Sequence, residues 1–141
     1  MAARMARRSG RGRARGTTWS RVCADGLKLP GVREGTSYRT PALFVGKKLL
    51  ARLREDAETV AIGTDFLDRE VLLEADPQAF FLTDHYRGYP WILMRLGRVR
   101  HAVAMEVFEQ AWLRAAPARV RATAANDRSG PVARGRRRSH G

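Results

Sequence analysis

The chain has 141 residues, with 27 Lys and Arg against 14 Asp and Glu, a formal net charge of +13. That length suits one domain with a modest core, and an apolar fraction of 44% is too high for wholesale disorder. The single cysteine, Cys23, excludes an intrachain disulfide framework and a Cys-based zinc knuckle, which points to a reducing, cytoplasmic compartment; no apolar run approaches the roughly 18 residues of a membrane span.

From the N-terminus, residues 1–17 hold six arginines and no acid. They contain few large apolar groups, so a disordered basic arm is expected there. Gly10, Gly12 and Gly16 interrupt any amphipathic helix, and no apolar core of a secretory leader follows. The folded unit is expected over 18–120. Thr18 is a good N-cap, and Trp19, Val22, Cys23, Gly26 and Leu27 recur at helical spacing until Pro30-Gly31. Cys23 lies on the apolar side of that helix and reads as a buried, inert thiol.

From Ser37 to Gly63 the pattern changes to strands. Ala42–Val45 and Lys48–Arg54 flank Gly46-Lys47, which fits a tight hairpin. In the second of these strands Leu49, Ala51 and Leu53 are expected on an apolar face, with Lys48, Leu50, Arg52 and Arg54 opposite. A strand at 58–62 follows, then a helix capped by Asp65 and ended by Asp76-Pro77, with apolar contacts from Phe66, Val71, Leu72 and Leu73. Short strands are predicted at 79–83 and 91–96, the latter leaving Trp91 and Leu93 exposed on an open face. A helix from about His101 to Ala116 buries Val103, Val107, Phe108, Ala111, Trp112 and Ala115, and Pro117 ends it. Residues 119–141 carry seven arginines against Asp127, and a second disordered arm is expected over 121–141. The order α-β-β-β-α-β-β-α, without βαβ repeats, predicts an α+β domain: an antiparallel sheet with helices on one face.

Catalysis finds little support in these residues. His85 has no nearby nucleophile in a recognisable motif, the carboxylate pairs belong to a helix start and a turn, and Gly46-Lys47-Lys48 lacks the spacing of a phosphate-binding loop. No ligand spacing suits a metal. No enzyme activity, cofactor or metal is therefore expected. The unusual local feature is HYRGYPW at 85–91, where aromatic rings alternate with a guanidinium, as stacking on bases and contact with phosphate require. The bland reading is that these rings fill a sheet edge while Gly88 and Pro90 shape a turn.

LPGV at 29–32, EGTSYRTPA at 34–42, GKKLLARL at 46–53, DFLDREVLLEADPQAFF at 65–81, HYRGYPWILMRL at 85–96 and AWLRAAPARV at 111–120 together resemble the MmcQ/YjbR family. The resemblance covers about 18–120 and leaves the arms out. It implies a CyaY/frataxin-like α+β fold and a DNA-binding role with a double-wing arrangement. Frataxin-like iron binding does not carry over, because residues 18–30 supply only Asp25 where an acidic ridge would be needed.

Two readings follow. In the first, the chain is a non-enzymatic DNA-binding protein with little base specificity. Phosphate contacts would come from Lys47, Lys48, Arg52 and Arg54 on the hairpin and from Arg87 and Arg95, with Tyr86, Tyr89 and Trp91 free to stack, and the arms adding sequence-independent affinity. In the second, it binds a small anionic ligand or a protein in a pocket between EGTSYRTPA and HYRGYPW, where Tyr38, Arg39, His85 and Arg87 converge. A compositional origin for the arginines also stands beside both, since 24 Arg accompany only three Lys.

Overall fold

A computed structural model of the chain describes residues 16–123. Thr18 caps helix α1 (Trp19–Gly26), its hydroxyl accepting from the Arg21 N–H at 3.1 Å. Strands β1 (Val32–Ser37), β2 (Thr40–Val45), β3 (Lys48–Leu53) and β4 (Thr59–Gly63) then run as an antiparallel meander. Asp65 caps helix α2 (Phe66–Ala75) by accepting from the Asp68 N–H at 2.7 Å. The two-residue strand β5 (Phe80–Phe81), the single turn α3 (Asp84–Arg87), strand β6 (Trp91–Arg95) and helix α4 (His101–Ala115) complete the order. One six-stranded sheet results, β1-β2-β3-β4-β6-β5, antiparallel throughout. The α+β architecture is the expected one.

The core lies between one sheet face and the long helices. Leu43, Leu50, Val60, Ile62, Ile92 and Met94 point into it from the strands. Val22 and Cys23 of α1 and Phe108, Ala111 and Trp112 of α4 cover them, with Leu72 and Leu73 of α2 packed against the same cluster. Gly26 sits where α1 crosses α4: a Cβ there would stand 3.0 Å from the Phe108 ring. Burial pushes the Cys23 thiol up to about 11, with the Glu34 carboxylate adding to the shift, so the expectation of an inert thiol holds.

Four local expectations are corrected. Strand β1 was not anticipated, because VREGTS is polar and forms the sheet's edge, where one side needs no apolar alternation. In β3, Leu43 pairs with Ala51 and Phe44 with Leu49, so Leu50 is an extra residue, a β-bulge. The bulge reverses the alternation: Leu50 enters the core and Leu49 turns to the opposite face. In α2, Phe66 and Val71 are exposed, and only Leu72 and Leu73 of the four expected contacts reach the core. Leu93, expected to be exposed, is fully buried, because α3 lies against β6 on that face.

At the ends, Thr17 is buried, its N–H donating to the Leu96 carbonyl at 2.7 Å, and residues 118–123 are helical after a break at Ala116-Pro117. The remainder of the two arms expected to be disordered, 1–15 and 124–141, lies outside the described residues. No helix among the described residues is long and apolar enough to cross a membrane.

Candidate functional site

The pairing register writes rows across the sheet face that the long helices leave uncovered. Gly35, Ala42, Arg52, Ala61, Leu93 and Phe81 are successive neighbours from β1 to β5. Most are small or flat, so this face is recessed along its centre. Over Ala61 the recess becomes an open cleft of about 340 Å³. Its floor is Ala61, Leu49 and the Arg52 guanidinium. Tyr38 rises on one side, and His85, Tyr86, Tyr89 and Trp91 enclose the other.

Each wall has a local cause. Tyr38 and Arg39 form the two-residue turn between β1 and β2, with Ser37 paired to Thr40. Both have left-handed backbone, φ 53° and 69°. This is the hairpin geometry that follows strand twist, and Asn-Gly is its usual occupant. On the other side, His85 packs edge-on to Tyr86 with ring centroids 4.9 Å apart, and Tyr89 lies tilted 6.5 Å from His85. Arg52 is buried. Its Nη1 donates to Thr40 Oγ1 at 2.9 Å, its Nη2 reaches Glu55 Oε2 only at 3.5 Å, and its guanidinium stacks 5.1 Å from the Tyr38 ring centroid.

The structure brings some predicted residues together and separates others. Tyr38 and His85 converge as expected, joined by Tyr86, Tyr89, Trp91 and Arg52. Arg39 and Arg87 do not line the cleft; both are exposed, next in the chain to residues that do, and Arg87 pairs loosely with Asp84 at 3.4 Å. The hairpin cations do not share one face. Lys47 is at the exposed tip, whereas Lys48 borders Ala111 and Arg114 of α4 on the helix side. Arg54 is half-buried beneath Tyr86, 5.6 Å from its ring centroid. Arg95 donates to the Gln78 carbonyl at 2.9 Å and stacks 4.0 Å from the Phe81 centroid, away from the cleft. Of the six cations proposed for phosphate, Arg52 is enclosed and Arg54 and Arg95 are committed to neighbours within the fold.

Arg69 is the positioning residue that sequence reasoning missed. It leaves α2, is buried, and donates from Nη1 to the carbonyl of Tyr89 at 2.6 Å, with longer contacts to Tyr86 (3.3 Å) and Trp91 (3.4 Å). Its Nη2 donates to the Arg87 carbonyl at 3.2 Å. One planar fork thereby gathers four carbonyls of the aromatic segment. The available signal was its slot: Arg69 follows Phe66 by three and precedes Leu72 and Leu73 by three and four, a cation on an apolar helical stripe.

Two polar clusters fix the surroundings. Asp56 accepts from the N–H groups of Glu58 (2.8 Å) and Thr59 (3.0 Å), which hold its carboxyl below the usual range and shape the β3–β4 turn. Glu55 is lowered by a backbone hydrogen bond and then by Arg52. At the far end, His101 lies 2.7 Å from the Thr17 hydroxyl and 2.6 Å from Asp25, whose carboxyl is lowered by that contact and by Lys28.

The YjbR family model matches residues 27–114. The chain belongs to the YjbR family. All the cleft residues fall inside the span that carries the YjbR match. Uncharacterized protein Mb2600 of Mycobacterium bovis is 31% identical over 120 residues, covering 71% of this chain and 89% of the relative. Uncharacterized protein Rv2570 of Mycobacterium tuberculosis matches with the same figures. Among solved structures, Deinococcus radiodurans protein DR2400, with a DUF419 domain, aligns with a TM-score of 0.59 at 21% identity, covering 69% of this chain and 77% of that one. That likeness is one of fold.

Proposed function

We propose that this YjbR protein is a non-enzymatic nucleic-acid-binding protein of the cytoplasm, with DNA as its partner, held largely by phosphate contacts and with little base specificity. The observation that carries the reading is the aromatic cleft on the uncovered sheet face of a chain whose net charge is +13. Stacking faces and a strong positive field are the two ingredients of sequence-tolerant nucleic-acid binding. Exposed Arg39 and Arg87 at the two walls supply phosphate partners beside it. Among the described residues no helix presents itself for reading a major groove, so little base discrimination is expected.

A fluorescence titration of the whole chain with a labelled DNA oligonucleotide at 50 and 200 mM salt tests this. If about six phosphates are neutralised, affinity falls by roughly three orders of magnitude between the two conditions. Absence of binding at 50 mM, or binding indifferent to salt, overturns it.

A second reading has its own support. The cleft is concave and has a buried guanidinium in its floor, and its volume of about 340 Å³ is at the lower end of small-molecule sites, roughly 300–1,000 Å³. A small anionic ligand with a planar ring would suit it. Tight binding of such a ligand without any affinity for oligonucleotides would favour this reading.

A further inference from the structure

We infer that the cleft over Ala61 is a seat for one unstacked nucleobase, so that the protein takes single-stranded in preference to paired nucleic acid. The inference rests on the nucleic-acid reading above and names the form of the partner.

Access restricts what the cleft can hold. In a duplex each base face is covered by its neighbours, so an aromatic wall can stack only on a base that has left the helix. The recess is set into the sheet, with Ala61 on its floor and rings standing on both sides. Those rings are available: Tyr38 is 80% exposed and Tyr89 59%.

The backbone that presents Tyr38 is strained. A bulky Tyr-Arg pair occupies two consecutive left-handed positions, a conformation disfavoured for side chains of that size and well suited to Asn-Gly. The packed hairpin holds this strain, and what it secures is the Tyr38 ring above the cleft with Arg39 beside it. The opposite wall is pre-organised by a different device, the Arg69 fork on four carbonyls. Walls fixed before binding lose little freedom when a ring enters.

A polar group completes the cleft. Among the described residues Arg52 Nη2 has only the 3.5 Å contact to Glu55, so it can donate to an acceptor on a base edge or its phosphate. Among the described residues no carboxylate lines the cleft.

The test uses the whole chain and a 10-nucleotide oligo-dT, compared with a duplex of equal length and with thymidine monophosphate, at 100 mM salt. The single strand is expected to bind at least tenfold tighter than the duplex and far tighter than the mononucleotide. Tyr38→Ala and Tyr89→Ala alter exposed side chains; each is expected to weaken single-strand binding roughly 5- to 150-fold and leave duplex binding unchanged. Tyr38→Phe, which keeps the stacking face, should restore the affinity lost in Tyr38→Ala. Equal affinity for the two forms, or single-strand binding unmoved by both alanine variants, overturns the base seat while leaving the nucleic-acid reading standing. Mononucleotide binding as tight as the oligonucleotide overturns it in favour of a small anionic ligand. No binding of either form, even at 50 mM salt, overturns both readings.

Discussion

A guanidinium can serve a partner or serve its own chain, and its contacts decide which. Arg69 has almost no contact with solvent and turns both Nη groups to backbone carbonyls of the fold, whereas Arg52, equally buried, commits Nη1 to Thr40 and leaves Nη2 at the cleft. A desolvated charge in such a place is tolerable only because several acceptors replace its water. Replacing Arg69 with Met should therefore cost roughly 3 kcal/mol, because four carbonyls lose their shared donor. Lys has one nitrogen and no planar fork, so Arg69→Lys should recover little. Thermal denaturation checks this: both variants should melt roughly 10 °C below the parent. A Lys variant as stable as the parent would show that charge alone, without the fork, holds the aromatic segment.

At the scale of elements, two irregularities shape the site. The β3 bulge sends Leu49 to the cleft and Leu50 to the core, so a strict alternation placed both residues on the wrong faces. A period of two fixes facing only while every residue has a partner, and one unpaired residue inverts all that follows. The Tyr38-Arg39 turn was not legible, because the polar strand before it carries no strand signal and the turn lacks the usual Asn-Gly. Arg39→Gly removes one unfavourable left-handed residue while adding chain entropy to the unfolded state, for a net gain of about 0.5 kcal/mol. Denaturant titration should show a higher midpoint with unchanged slope, and a lower midpoint would contradict the turn geometry. Helices were read more accurately, because caps Thr18 and Asp65 and the stripe Val107, Phe108, Ala111 and Trp112 are local signals.

For the whole molecule, charge is unevenly distributed. Residues 16–123 hold 16 basic and 13 acidic residues, so ten of the thirteen excess positive charges lie in 1–15 and 124–141. The salt dependence of binding is accordingly expected to follow those segments, and the stacking variants should alter the part of the affinity that salt leaves untouched. Acid stability involves residues from distant parts of the fold. Asp25, Glu55 and Asp56 all have carboxyl pKa values lowered by folding. Stability from such groups is complete above their unfolded values, near 4, and is lost as pH falls through the lower folded values. Melting midpoints measured from pH 6 to pH 2 should fall steeply only below about pH 4. Asp56→Asn should flatten that fall, and an unchanged profile would remove the β3–β4 turn from the account.

The amino-acid order alone determined the family resemblance, the α+β class, the helix caps, the hairpin at Gly46-Lys47 and the candidate aromatic segment. These depend on neighbours within a few residues, and such neighbours are visible in a string. Tertiary structure decided which cations remain at the surface, which face each β3 residue takes, and that Tyr38 stands across from Tyr89. Those outcomes depend on pairing register and on Arg69 reaching carbonyls 17 to 22 positions away. Separation along the chain carries no information about distance until the strands have paired and the helices have packed.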